Sequence, residues 1–275
     1  MDTAIQALVI GIVQGLTEFL PISSSGHLIL VPYLLGWNNP FLTSLAFGVV
    51  LHVATLVALL VYFWRDWARL VPAGLAAIRD RSFAGDPDRR LAWIIAATMP
   101  PAIVAGLLLN DVFEKEVRQP LLVALMLVVG AAILWTTDRL GRRTAGMERL
   151  GFGGAFFVGC AQALALVPGI SRSGISISAG LALGLTREAA ARFSFLMAAP
   201  IIAGAGAYEI RKLITGEAGV AVEPGPLAVG FIAAALSGLV AIAGLLHYLR
   251  GHPMTVFVAY RLVLVAAVVV CFLNA

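Results

Sequence analysis

Long apolar runs separated by short polar stretches organise this 275-residue chain. Six of the runs, at residues 42–64, 91–109, 120–137, 193–209, 227–248 and 254–273, are long enough to cross hydrocarbon. A bilayer core about 30 Å thick takes roughly 20 apolar helical residues, so each run predicts one transmembrane helix. Two further segments, 4–36 and 151–185, are long and apolar but interrupted near their centres by Pro, Gly and Ser. Irregular backbone at membrane depth is tolerated only where protein or a wet cavity satisfies its N–H and C=O groups. Each broken segment therefore reads as a re-entrant helical hairpin that enters and leaves by one face. The expected fold is a single all-α integral membrane domain of about six transmembrane helices plus two re-entrant hairpins.

Composition supports this reading. Sixty per cent of residues are apolar and 12% charged, with a mean hydropathy of +0.95; a soluble domain would carry about a quarter charged residues. Met1–Gln6 has no basic n-region and no small-residue cleavage site, so the first helix is expected to stay in the mature protein. Cys160 and Cys271 lie inside apolar segments without metal-ligand spacing, which predicts packing roles. The net charge of +4 carries no nucleic-acid footprint.

Lys and Arg orient the chain. With both broken segments re-entrant, loops 65–90, 138–150, 186–192 and 249–252 share one side and hold six, four, two and one basic residues, 13 in all. The opposite side holds Lys115, Arg118, Arg211 and Lys212, four in all. Thirteen against four places the first side in the cytoplasm and both termini outside it. Trp64, Trp67, Trp93 and Trp135 fall at span ends, as an aromatic belt requires.

The two breaks are related. Residues 11–26, GIVQGLTEFLPISSSG, align with 159–174, GCAQALALVPGISRSG, at a constant offset of 148. Seven of the sixteen pairs are identical: Gly11/Gly159, Gln14/Gln162, Leu16/Leu164, Ile22/Ile170, Ser23/Ser171, Ser25/Ser173 and Gly26/Gly174. Three spans lie between the copies, so the second copy enters from the opposite face. That is an inverted-topology repeat, with residues 1–137 and 138–275 as its halves, an architecture that sets binding sites at the midplane between broken helices. The half-helix after each break also presents free N–H groups and a positive dipole end, which suit an anion such as phosphate.

The polar residues at the breaks are unequal. Glu18 stands one helical turn after Gln14, on the same face. An ionisable group at this depth costs on the order of 2–3 kcal/mol and calls for a partner or a function. After Pro21 come Ser23, Ser24, Ser25, Gly26 and His27; hydroxyl, imidazole and carboxylate are the parts of an activated nucleophile. In the second copy Arg172 replaces Ser24, between Ser171 and Ser173. Its planar fork suits phosphate oxygens, and a structural bridge to Glu18 is the alternative. His52 reads as hydrogen-bonded packing near the site, His247 and His252 as interfacial, and Arg261 as snorkelling from the start of the last span.

These residues resemble a known family. The stretches Gln14-Gly-Leu-Thr-Glu18-Phe-Leu-Pro-Ile-Ser-Ser-Ser-Gly-His27 and Pro168-Gly-Ile-Ser-Arg-Ser-Gly174 are similar to the two signature motifs of the undecaprenyl pyrophosphate phosphatases, the bacitracin-resistance family. The likeness extends to chain length, repeat placement and the Phe193–Pro200 stretch. It implies a multi-pass enzyme of the bacterial inner membrane that removes the terminal phosphate of undecaprenyl pyrophosphate, regenerating the lipid carrier for peptidoglycan. It implies Glu18 in metal binding or acid–base work, Ser24 as nucleophile, His27 as its catalytic partner and Arg172 on the pyrophosphate. Gln14, Ser23, Ser25, Gly169, Ser171, Ser173 and Gly174 are the expected substrate-binding residues. A divalent cation, Mg²⁺ or Ca²⁺, is the expected cofactor; Gln14 stands where many members have Glu, so a two-carboxylate metal site is incomplete here. The expected partners are the polyprenyl pyrophosphate lipid, the bilayer and a second copy in a homodimer, with no nucleic acid.

Two questions stay open at this level. Ser24 could attack phosphorus with His27 or Glu18 taking its proton, or water could attack directly. Inverted repeats and broken helices also predict a transporter or flippase for an anionic lipid. The unequal chemistry of the two breaks favours an enzyme.

Overall fold

Helices account for all the regular secondary structure among the residues that this computed structural model describes, 2–115, 119–215 and 222–274. They are α1 (Thr3–Phe19), α2 (Ser24–Leu35), α3 (Leu45–Tyr62), α4 (Trp64–Asp80), α5 (Pro87–Ala97), α6 (Met99–Lys115), α7 (Pro120–Leu140), α8 (Phe152–Ala163), α9 (Arg172–Ala182), α10 (Arg187–Ile214), α11 (Pro224–Tyr248) and α12 (Thr255–Leu273). Local chemistry sets the ends. Asp2 and Ser44 cap α1 and α3 by accepting from Ala4 N and Phe47 N. Proline opens α5, α7 and α11. Gly36, at φ 66°, closes α2 in the left-handed conformation.

Six helical stretches are long and apolar enough to cross a membrane: Leu45–Tyr62, Pro87–Leu108, Pro120–Leu140, Arg187–Tyr208, Pro224–Tyr248 and Thr255–Leu273. They match the six expected runs, and α1, α2 and α8 are the shorter apolar pieces of the broken segments. The spans differ in burial. Of the α10 window 61% is buried inside the protein, against 11% for α12, so α10 is the central post and α12 an outer one. Phe19, Phe63, Phe193 and Phe195 form the aromatic heart of the core around α10, with Phe19 and Phe195 edge-to-face at 5.3 Å. α1 lies flush on α11 through small residues: a Cβ on Gly11 would sit 2.9 Å from Ala233 Cβ, and one on Gly15 2.7 Å from Gly238 N.

Two boundaries differ from the expectation. Residues 65–90 are not an open loop: α4 fills most of that stretch, burying Leu70, Ala73 and Ala77 while its polar face carries Arg65, Arg69 and Arg79. Its amphipathic period keeps mean hydropathy low, which hides it from a search for apolar runs. α10 begins at Arg187, six residues before the apolar run, because its charged first turns are tied down. Arg187 donates to Asp138 at 2.5 and 3.1 Å, and Arg192 to Asp66 at 2.8 and 2.7 Å.

Those ion pairs also gather the basic loops. Asp138 further accepts from Met254 N at 3.0 Å, Arg90 donates to Glu148 O and Leu150 O, and Arg250 to Glu188 at 3.3 Å. Loops 65–90, 138–150, 186–192 and 249–252 therefore meet at one end of the molecule. Lys115, Arg118 and Lys212, from the opposite count, lie outside the residues whose side chains are described. Trp64 and Trp135 are exposed under Arg65 and Arg139, as belt residues would be; Trp93 instead donates to Gly74 O at 3.2 Å.

Both broken segments are hairpins. Thr186 N donates to Ala145 O and Ala145 N to Gly184 O, so the chain that leaves along α8 returns along α9 to the basic end. Ala7 of α1 shares a cluster with Phe41 and Leu42, which follow α2, and with Phe47 near the start of α3. α3 runs from that cluster to Phe63 and Asp66 at the basic end, so the two hairpins open toward opposite ends of α3.

Their tips interlock. Gly169 N donates to Ser23 Oγ at 3.1 Å, and Ser173 Oγ to Leu20 O at 3.0 Å. Arg261 of α12 completes the joint and does not reach toward an interface as expected. It is fully buried, its Nε donating to Pro21 O at 2.7 Å and its Nη1 and Nη2 to Ile170 O at 3.2 and 3.3 Å. One guanidinium thus satisfies the carbonyls that both breaks set free.

Arg261→Met keeps the volume of the side chain and strands both carbonyls. It should lower stability by about 2–4 kcal/mol, read as a drop in the melting temperature of detergent-solubilised protein, with Arg261→Lys falling between. A Met variant that melts with the wild type would show that the clasp is dispensable.

Candidate active site

The last turn of α1 supplies the acid. Helical spacing stacks Gln14 and Glu18, and Gln14 Nε2 donates to Glu18 Oε2 at 3.0 Å. Leu20 precedes Pro21 and is extended (φ −66°, ψ 141°), which ends the helix there. The chain then re-enters a helix at Ser24 with Ser23 as its cap, and the second copy repeats the device at Ser171. Both caps hold a positive φ, 75° and 77°, and accept from the amide three residues on, Gly26 N at 3.3 Å and Gly174 N at 3.1 Å. Such backbone strain in non-glycine residues costs about 1–3 kcal/mol and gathers at functional sites. At the first tip Ser23 Oγ lies 3.4 Å from Ser25 Oγ, and at the second Ser171 Oγ lies 3.2 Å from Ser173 Oγ. Gly169, at φ 103°, lets the second break pass α7: a Cβ there would lie 2.6 Å from Val123 O.

Glu18 is the hub. It is buried, and each carboxylate oxygen faces donors. Arg172 Nη2 contacts Oε1. Oε2 faces Ser24 Oγ at 2.5 Å, Gln14 Nε2 at 3.0 Å and His52 Nε2 at 3.3 Å. Two of these partners come from the tips of different hairpins and one from α3, so the full site forms only on folding.

A cavity of about 270 Å³ opens beside this cluster. Ser24, Ser25, His52, Gln162, Ser171 and Arg172 line its polar side; Val49, Ile201 and Ile202 are among its apolar walls. The first residues of both α2 and α9 face it, so two helix N-termini with free first-turn N–H groups open on one space. An anionic group entering from the apolar side would meet a guanidinium, hydroxyls and positive dipole ends.

The structure brings Glu18, Ser24 and Arg172 together, and sets Ser25 and Ser171 on the same cavity. Ser23, Ser173, Gly169 and Gly174 are engaged in building the tips through the bonds described above. His27 lies apart from the cavity lining. Its Nδ1 pairs with Ser23 O at 2.7 Å and its Nε2 with Tyr260 OH at 2.8 Å, the two rings stacked at 5.6 Å.

Three residues had weaker signals in the sequence than in space. His52, expected as hydrogen-bonded packing near the site, bridges Gly48 O (2.8 Å) and Glu18. Gln162 appeared only as the repeat partner of Gln14. Arg261 was placed at an interface. All three carry a polar head within an apolar helical stretch, and that costs enough to serve as the missed signal.

Comparison with known proteins points one way. Residues 7–267 match the family model described as bacitracin resistance protein BacA. The chain is 42% identical over 269 residues to an undecaprenyl-diphosphatase of Desulforudis audaxviator, covering 96% of each chain. It is 45% identical over 259 residues to one of Alcanivorax borkumensis (94% of this chain, 95% of that one), and 46% identical over 262 residues to one of Gemmatimonas aurantiaca (95% of each).

The Glu18–Arg172 pair should behave as one unit in stability. A double-mutant cycle of Glu18→Gln and Arg172→Met, followed by thermal unfolding, is expected to show a coupling of about 1–3 kcal/mol. Strictly additive effects would mean that the two side chains do not meet in solution.

Proposed function

The chain belongs to the bacitracin resistance protein BacA family, and on that premise we propose that it dephosphorylates undecaprenyl pyrophosphate to undecaprenyl phosphate, recycling the lipid carrier of peptidoglycan synthesis. The observation that carries this reading is the meeting of Glu18, Ser24 and Arg172 at a cavity with one polar and one apolar side. The pyrophosphate head faces the polar side and the polyprenyl chain leaves between the apolar helices. The enzyme sits in the bacterial cytoplasmic membrane with its basic end inward, a placement supported by 13 basic residues against four. The same reading treats residues 1–137 and 138–275 as halves of an inverted repeat, supported by the offset of 148 and the matching strained caps at Ser23 and Ser171.

Ser24 Oγ already donates to Glu18 Oε2, so Glu18 is placed to take that proton as Oγ attacks the terminal phosphorus. The bond from phosphorus to the bridging oxygen breaks, and undecaprenyl phosphate leaves. Water then hydrolyses the phosphoserine, releasing inorganic phosphate and restoring Ser24. Arg172 and the two helix N-termini stabilise the negative charge on the transferred group. The proton held on Glu18 passes to the departing phosphate, and Glu18 then takes one from the attacking water as Ser24 Oγ is re-protonated and released. His27, the other expected proton acceptor, has both ring nitrogens engaged elsewhere, which favours Glu18 in that role.

The expected Mg²⁺ or Ca²⁺ is part of this proposal. Both ions take hard oxygen ligands and complete their shells with water or phosphate oxygens. Gln14 Oε1 is a buried oxygen without a partner among the described residues, one turn from the Glu18 carboxylate. Gln14 and Glu18 would hold the cation, which supplies further neutralisation of phosphate charge.

Purified protein in detergent with Mg²⁺ should release phosphate from a polyprenyl pyrophosphate and lose that activity to a chelator. Glu18→Gln and Arg172→Ala should each reduce turnover by about 100-fold or more. Near-normal turnover by Ser24→Ala would replace the covalent route with direct attack by water. Folded wild-type protein that binds the lipid yet releases no phosphate across metals and pH would move the reading to an anionic-lipid transporter.

A further inference from the structure

Gln162 sits in the last turn of α8 and is 3% exposed, yet neither Nε2 nor Oε1 has a hydrogen-bond partner among the described residues. Its repeat counterpart explains why this is unusual. Gln14, 148 residues earlier, spends its Nε2 on Glu18, one turn further along α1. At the position equivalent to Glu18 the second copy has Leu166, so Gln162 has lost the carboxylate that would have occupied it. The side chain lines the cavity instead, alongside Arg172, Ser171 and Ser24.

The backbone beneath it has little freedom. α8 presses on the junction of α5 and α6 at Gly159, where an added Cβ would lie 2.9 Å from Thr98 Cα. Gln162 follows three residues later, at the edge of the second break. A buried carboxamide held in place with both ends unpaired suits a ligand more than a packing role.

We infer that Gln162 is a substrate-binding residue that donates from Nε2 to an oxygen of the pyrophosphate head, an inference that rests on the diphosphatase reading. A neutral donor complements Arg172: it reads phosphate geometry without adding charge to a site that already balances Glu18 against a guanidinium. Oε1 then takes a hydroxyl or a water of the bound head. The two glutamines of the repeat have divided their work, Gln14 positioning the acid and Gln162 contacting the anion.

The test pairs steady-state kinetics with thermal unfolding, using wild type, Gln162→Leu and Gln162→Glu and a polyprenyl pyrophosphate as both substrate and ligand. Gln162→Leu should raise KM by about 10- to 100-fold with kcat within a few-fold of wild type. Gln162→Glu should raise KM further, because its charge repels the head. Without lipid the Leu variant should melt at or above the wild-type temperature, since no protein hydrogen bond is lost, while the rise in melting temperature on adding lipid pyrophosphate should shrink. A Leu variant with wild-type KM and wild-type stabilisation by the lipid overturns the inference, and so does one that is markedly less stable without lipid. Wild-type protein that is stabilised by lipid pyrophosphate through Gln162 but releases no phosphate would sink the diphosphatase reading and leave the binding role standing. Wild-type protein that neither binds nor hydrolyses the lipid overturns both.

Discussion

Two helices are broken at membrane depth, and the polar backbone groups so released must find partners inside the protein. Everything else about the site follows from how this is done. The partners come mostly from the other break: Gly169 N on Ser23 Oγ, Ser173 Oγ on Leu20 O, and one buried guanidinium, Arg261, on the carbonyls of both Pro21 and Ile170. Each tip is therefore stable only in the presence of the other, and the cavity between them is a consequence of docking rather than a property of either hairpin. Each cap satisfies one first-turn amide, at Gly26 and Gly174, and the N–H groups before it have no helical acceptor. A strained cap that leaves neighbouring donors open is what an anion site requires.

The two tips share a backbone and differ in the side chains they present. Ser23 and Ser171 keep the same unusual backbone, 75° and 77° in φ, so the two tips are built alike. The side chains beyond the caps differ in a complementary way. Ser24 faces Arg172 across the site, Glu18 has no second copy because Leu166 stands in its place, and Pro21 corresponds to Gly169. Proline has no N–H to give to Ser171, as Gly169 gives to Ser23, and at Pro21 the link is made through its carbonyl to Arg261. A symmetric pair of tips would have placed two carboxylates or two guanidiniums together. The asymmetric pair puts one of each side by side.

How much of this the sequence disclosed depends on the range of the interaction. The six spans and two breaks were legible because apolar length and Pro/Gly/Ser interruption are local properties. Glu18, Ser24 and Arg172 stand on two aligned motifs, and the fold brings their side chains into contact. α4 was missed because an amphipathic helix has no apolar run, and the start of α10 was missed because its Arg187 and Arg192 are stabilised by Asp138 and Asp66, far along the chain. Arg261 departs from the expectation for the same reason. An Arg in an apolar helix can reach an interface or meet buried carbonyls, and only the fold decides. Here its acceptors lie 240 and 91 residues away.

The charge balance of the site bears on how a diphosphate could enter it. Glu18 and Arg172 form a close pair, with His52 at 3.3 Å, in surroundings where charge is poorly screened. Both oxygens of Glu18 already face donors. In the proposed reaction a head carrying two or more negative charges draws Arg172 partly away from Glu18, which frees the carboxylate as Ser24 needs a proton acceptor. Substrate binding and activation of the nucleophile would then be one event.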